Sequence, residues 1–221
     1  IYWMKALDKG IHAYEFEGNL HGRSYFYEIH IADKIYKSED PYALASLPNR
    51  EASVFCDLKQ LSLAIQKGPE RSDNETILEV HTRDFSMDPT IPFKHRGKFL
   101  SLIESHGALG YKHLCDLDPD WIQLMPVNDF ATVDENDSEK RYNWGYDPMQ
   151  FFALEGSYSS NIHHPFQVME DFAKVIDRYH KDGFKVSLDL VLNHVYESEE
   201  SSFHKTVPYY YFRYDQTGHL S

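Results

Sequence analysis

The alternation that sets in near residue 75 constrains this chain most. TILEVHTRDF (76–85) reads as a strand. A short helix is expected around 97–106, with Phe99, Leu102, Ile103 and His106 on one face and Gly107 in the stop position. WIQLMPV (121–127) is a second strand. Residues 165–182 give the clearest helix: Pro165 opens it, Phe166, Met169, Phe172, Ala173, Ile176 and Tyr179 share a face, and Gly183 ends it. KVSLDLVLNH (185–194) is a third strand. The order β-α-β-α-β predicts parallel strands joined by helical crossovers. Strand parity refines this. Val186, Leu188, Leu190 and Leu192 point one way, while Ser187, Asp189, Val191 and Asn193 point the other; Glu79, His81 and Arg83 likewise share a face. A doubly wound sheet is apolar on both faces. A polar face toward the strand ends fits a (β/α) barrel better, because inward side chains at its C-terminal mouth build sites.

The first third has another texture. Residues 11–17 and 24–32 read as strands separated by Gly18-Asn19 and Gly22, and Val54-Phe55 lie in a further short strand. The expected organisation is a β-sandwich over 1–66, accessory and carbohydrate-binding in type, a polar linker over 67–75, and an α/β unit over 76–221. With 22 Lys+Arg against 35 Asp+Glu, the net charge of −13 argues against nucleic acid or an anionic membrane as partner. No apolar run approaches the roughly 18 residues of a membrane span, and IYWMKALDKG lacks the apolar core of a signal peptide. A cytoplasmic location is the resulting expectation. Cys56 and Cys115 are the only cysteines, too few for a disulfide framework or zinc site, and read as reduced thiols.

The densest segment is YNWGYDP (142–148), in the loop between the second strand and second helix. Three rings, an amide and a carboxylate suit a sugar: rings stack on pyranose C–H faces, and Asn and Asp bind hydroxyls. The same composition also suits a packed loop. Asp134, Asn136 and Ser138 resemble the opening of a calcium loop, but Glu139 stands where Gly is needed and Gly145 where Glu is needed. That stretch reads as an acidic, solvated loop. His163-His164 cannot face one metal from a strand or helix. Asp189, Asn193 and His194 fall where barrel chemistry is found.

DLVLNH (189–194) resembles the first conserved region of the α-amylase family of glycoside hydrolases, and YNWGYDP is similar to the heptapeptide of its type I pullulanase subgroup. LEVHTRDFS, IQLMPVNDFATVDE and WGYDPMQFFALEGSYSSN resemble pullulanase segments in the right order, and DPYA (40–43) resembles the end of the sandwich that precedes the barrel. The resemblance implies an α/β fold holding the first three βα units of a (β/α)8 TIM barrel after part of an antiparallel β-sandwich. It implies hydrolysis of α-1,6-glucosidic bonds in pullulan, glycogen or starch with retention. By resemblance Tyr146 stacks on the sugar before the scissile bond, with Asp147 beside it, and His194 hydrogen-bonds that sugar. Asp189 is a charge partner, Trp144 packs the loop, and Asn193 corresponds to a calcium ligand of many α-amylases. Calcium is not predicted here, nor any other cofactor.

The resemblance places the catalytic pair on later strands, so no catalytic residue is expected before Ser221 and the 221-residue chain is expected to be inactive alone. Glu79 and Asp189, which the residues alone suggest as an acid pair, are set aside on that ground. The expected partners are a branched α-glucan or maltooligosaccharide and the remainder of the same polypeptide. The alternatives are an isoamylase- or branching-type member of the family and a non-catalytic glucan-binding fragment.

Overall fold

The computed structural model describes residues 1–70 and 73–220. Where the sandwich is expected, short antiparallel ladders form instead of two broad sheets. β1 (Lys5–Ala6) pairs β2 (His12–Ala13), β3 (Ser24–Tyr25) pairs β6 (Ser53–Val54), and β4 (Tyr27–Ile31) pairs β5 (Lys34–Ser38). The strand expected over 11–17 thus shrinks to two residues, and that over 24–32 is interrupted at Phe26. Several of the aromatic residues in the segments read as strands stay at the surface: Tyr14, Phe16 and Phe26 are exposed. The buried apolar group of this region is Ala45 and Val54, which Phe166 joins from later in the chain.

The second region is built on β7 (Ile77–Val80). After it comes a tight hairpin of β8 (Ser105–His106) and β9 (Leu109–Gly110), then α1 (Tyr111–Leu117) and β10 (Trp121–Leu124). The helix expected at 97–106 is only a 3-10 turn over Phe99–Ile103. Gly107 and Gly110 both take positive φ, 62° and 69°, which folds the hairpin and postpones the α-helix until Tyr111. β11 (Asn128–Phe130) and β12 (Pro148–Leu154) follow, then α2 (Gln167–Lys181), β13 (Lys185–Leu188) and α3 (Ser202–Thr206). Pro165 lies two residues outside α2. Gly183, at φ 93°, follows its last turn as expected.

β7, β10 and β13 form one parallel sheet in the order β13-β10-β7. The register aligns Leu78, Ile122 and Val186 on one face and Glu79, Gln123 and Ser187 on the other. The first face carries the core. Ile122 and Leu124 are fully buried there against Phe99, Leu102, Val175 and Tyr179. A fully buried Leu, Val or Phe contributes roughly 1.5–3 kcal/mol, so this face anchors the sheet. β13 ends at Leu188 rather than His194, and Leu188, Leu190 and Leu192 are exposed. Gln66, just before the expected linker, is docked on α2: its amide donates to Asp177 (3.0 Å), and its carbonyl lies 2.7 Å from His180 Nδ1. Residues 71 and 72 of that linker lie outside the described residues. Among the described residues no helix is long and apolar enough to cross a membrane.

Candidate functional site

The heptapeptide sits in the connection of a hairpin. β11 and β12 pair antiparallel, Phe130 opposite Pro148, and residues 131–147 bulge from between them. The bulge is clasped at its neck: the Ala131 amide donates to the Asp147 carbonyl (2.9 Å), and the Ala131 carbonyl accepts from Asn143 Nδ2 (3.0 Å). Asn143, buried, organises the turn. Its Nδ2 also donates to Asp147 Oδ2 (2.8 Å), and its Oδ1 accepts from the Gly145 amide (2.8 Å). Gly145 has φ 92°, and a Cβ there would lie 2.8 Å from the Pro126 carbonyl oxygen. Only glycine meets both demands.

This turn carries Tyr146 over the ends of the parallel strands. Its hydroxyl donates to Asp189 Oδ2 (2.6 Å), and His194 Nε2 lies 2.8 Å from its carbonyl oxygen. Three residues singled out from the sequence therefore meet. The hydrogen bond to Asp189, with burial and the Asp189 charge behind it, pushes the Tyr146 hydroxyl up to about 12. Near neutral pH the hydroxyl is a donor and Asp189 an acceptor. Asp147 is turned inward onto Asn143. Asn193 stands exposed beside His194. Trp144, expected to pack the loop, is instead 58% exposed. Asn143 and Gly145 hold the packed positions, because alternate residues of the turn face in and out.

A second chain of contacts supports the loop and was not expected. The Tyr142 hydroxyl donates to Asp84 Oδ2 (2.6 Å) and lies within reach of the Trp144 side chain. The Asp84 amide donates to His81 Nδ1 (3.2 Å), so the neutral ring carries its proton on Nε2, 3.4 Å from the Tyr158 hydroxyl. Burial lowers the His81 pKa, against the pull of Asp84. Parity had placed His81 on the polar face; nothing in the sequence linked it to Tyr142. On the neighbouring strand Gln123 Nε2 donates to Glu79 Oε1 (3.1 Å). The strand-end carboxylates Glu79, Asp84 and Asp189 each engage a protein donor.

The opposite side of the hairpin holds a dry acidic cluster. Asp129, Glu135 and Glu155 are 0%, 6% and 1% exposed. Arg50 Nη1 donates to Asp129 Oδ1 at 2.6 Å. The 131–147 bulge is therefore not simply the solvated acidic loop its composition suggests. No group of three or more His, Cys, Asp or Glu side chains that could hold a metal ion occurs among the described residues.

Parallel strands with helical crossovers describe an α/β protein, and a ring held by an acid and an imidazole over the strand ends is its candidate site. Within that class the chain is related over its whole length to the type I pullulanases. The pullulanase of Bacillus subtilis strain 168 is 38% identical over 224 residues, covering 98% of this chain and 31% of that protein. The crystal structure of that type I pullulanase with maltose superposes with a TM-score of 0.91 at 38% identity, over 99% of this chain and 32% of that one. The Anoxybacillus sp. LM18-11 pullulanase with maltotetraose gives 0.94 at 31% identity, over 100% and 33%. No family model matches. The chain thus spans about a third of the length of these relatives.

Proposed function

We propose that this chain forms part of a debranching glycoside hydrolase of the α-amylase family, acting on α-1,6-glucosidic bonds of pullulan, glycogen or starch with retention. The sheet β7-β10-β13 is then the opening of a (β/α)8 barrel, with Glu79, Gln123 and Ser187 on its inner face. The observation that carries the reading is the fixed ring of Tyr146, held through its hydroxyl by Asp189 and through its carbonyl by His194. A ring so held offers a stacking platform for a pyranose without losing rotamer entropy on binding. The related structures bound to maltose and maltotetraose support a maltooligosaccharide as ligand.

Retaining hydrolysis uses two carboxyl groups about 5–5.5 Å apart, one as nucleophile and one as acid and base. Glu79, Asp84 and Asp189 are holders in this reading, each committed to a donor, and the pair is left to residues outside 1–221. The test is pullulan digestion by the polypeptide as its source produces it. Cleavage at α-1,6 bonds releases maltotriose; products that retain an α-1,6 bond overturn the linkage. For the chain itself, maltotriose binding that is lost in Tyr146→Ala supports the platform. Equal binding by that variant overturns it.

A further inference from the structure

The acidic cluster lies behind the same loop whose front holds Tyr146. The turn Leu47–Glu51 reaches across from the first region to cover it. Asn49 and Arg50 in this turn take φ of 56° and 60°, a left-handed pair that favours glycine at the second position. Asn49 fastens the turn: its amide donates to Glu135 Oε1 (3.0 Å), its Oδ1 accepts from the Glu135 amide (2.9 Å), and its Nδ2 donates to Asp134 Oδ1 (2.9 Å). Arg50 Nη1 donates to Asp129 Oδ1 (2.6 Å) and to the Phe130 carbonyl (3.4 Å). Glu155 takes the Phe130 amide on Oε2 (3.2 Å) and the Ser157 amide on Oε1 (3.0 Å). Asp129 Oδ2 is buried with no hydrogen-bond partner. Segment 129–131 is therefore gripped from behind by Arg50 and Glu155, while Ala131 clasps Asp147 and Asn143 in front.

We propose that Arg50 is a positioning residue for the Tyr146 loop: its pairing with Asp129 seats the 129–131 clasp, and the acidic pocket beneath makes that seating pH-sensitive. The proposal deepens the sugar-platform reading and rests on it only for the meaning of the loop. Three carboxylates face two cations, Arg50 and Lys98, whose Nζ donates to the Ser157 carbonyl (2.6 Å). Glu39, Asp134 and Glu139 add negative charge from the surrounding elements. Burial raises Asp129, Glu155 and Glu135, the last to about 7. The same burial lowers Lys98. Below that pH the pocket keeps protons that offset its excess charge. Above it the carboxylates repel, and the clasp loosens.

Hydrogen exchange of the full chain tests this without any sugar. After correction for intrinsic rates, the Ala131 and Gly145 amides should exchange about ten-fold faster at pH 8 than at pH 6. The Met125 amide, bonded to the Val80 carbonyl (3.0 Å) across the parallel sheet, should not change and serves as the control for global unfolding. Glu155→Gln should abolish most of the pH difference. Arg50→Gly relieves the left-handed backbone and removes the guanidinium, so both loop amides should exchange fast at either pH. The double variant Arg50→Gly/Asp129→Asn should recover part of the protection. Maltotriose affinity should fall about ten-fold in Arg50→Gly. Loop amides that ignore pH in the parent chain, or wild-type exchange or affinity in Arg50→Gly, would overturn the proposal. Failure of the parent chain to bind maltotriose while the exchange pattern holds would overturn the sugar reading alone.

Discussion

Two polar clusters bracket the loop 131–147, and they are made differently. Behind it, Asp129, Glu135 and Glu155 are packed away from water, with Arg50 paired to Asp129. In front, Asp189, Asp84 and Glu79 are half-buried or exposed; each accepts from a neutral donor, and Asp84 also lies 3.9 Å from the Arg83 guanidinium. The same side-chain type is costly in the first setting and inexpensive in the second. A buried carboxylate loses its hydration and depends wholly on its partners, whereas an open one can fall back on solvent. The dry cluster is therefore suited to hold the hairpin in place. The wet one keeps its carboxylates in contact with solvent, so losing a partner there costs less.

The comparison breaks most visibly at Arg50. Arg50→Met keeps a non-glycine residue at φ 60° and so leaves the backbone as it is. It removes the cation paired with Asp129, which is fully buried. Breaking one partner of a buried pair costs about 3–5 kcal/mol, and at roughly 2–4 °C per kcal/mol for a chain of this size the melting temperature should drop by about 6–20 °C. Asp189→Asn in front should shift it far less. The dry cluster also fixes the sign of the pH response. A carboxyl such as Glu135, raised to about 7 by burial, binds more protons in the folded state than in the unfolded one. Its contribution is complete below the ordinary carboxylate range and is lost as pH rises toward 7. Melting temperature should fall across that window, and Glu135→Gln should flatten the fall.

The strands and the main helix were legible because their apolar positions repeat: β7, β10, α2 and β13 lie within the segments their periodicity marks. Asp189 and His194 were singled out because they follow a parallel strand, whose end lies at one rim, and Tyr146 because of its ring-rich loop and the family resemblance; the structure brings the three together. The β11/β12 hairpin was not legible. Asn128 and Asp129 fall just past the segment read as the second strand, Pro148 closes a segment read as loop, and the register shifts on both sides of Asp129. The dry cluster was less legible still. Asp129, Glu135 and Glu155 look like solvated acids, and Arg50, which pairs with Asp129, stands 79 positions earlier in the chain. A local signal exists in retrospect at Gly156, where a Cβ would collide with the Glu135 carboxylate. Helix α1 spans seven residues, too few for a stripe to repeat.

A smaller effect is expected at the junction of the two clusters. Gly145→Ala forces φ 92° on a side chain that meets the Pro126 carbonyl at 2.8 Å. Strain of this kind costs on the order of 1–3 kcal/mol. It should appear as faster exchange of the Ala131 and Gly145 amides, with the core amides unaffected. A uniform loss of protection would mean that the loop and the core unfold as one unit. Tyr146→Ala comes next: stacking of a ring is worth about 1–3 kcal/mol, so maltotriose affinity should fall roughly ten- to hundred-fold with little change in melting temperature.

The smallest change is the most discriminating. Tyr146→Phe keeps the ring and deletes only the hydroxyl that donates to Asp189 at 2.6 Å. Were this bond buried like the one between Arg50 and Asp129, the loss would strand a charge. Asp189 is only half-buried, so water can replace the lost donor, and the net cost should stay near 1 kcal/mol, the ordinary worth of a hydrogen bond. The loop has other fastenings, through Asn143, Ala131 and His194. Its conformation should therefore persist, with affinity for maltotriose within about three-fold of the parent, and the fall in Tyr146→Ala should be at least several times larger. If Phe instead loses as much affinity as Ala, the hydroxyl and Asp189 are what the sugar needs. The front cluster would then act as a rigid framework like the one behind it, and the contrast between a dry hold and a wet site would fail at its central residue.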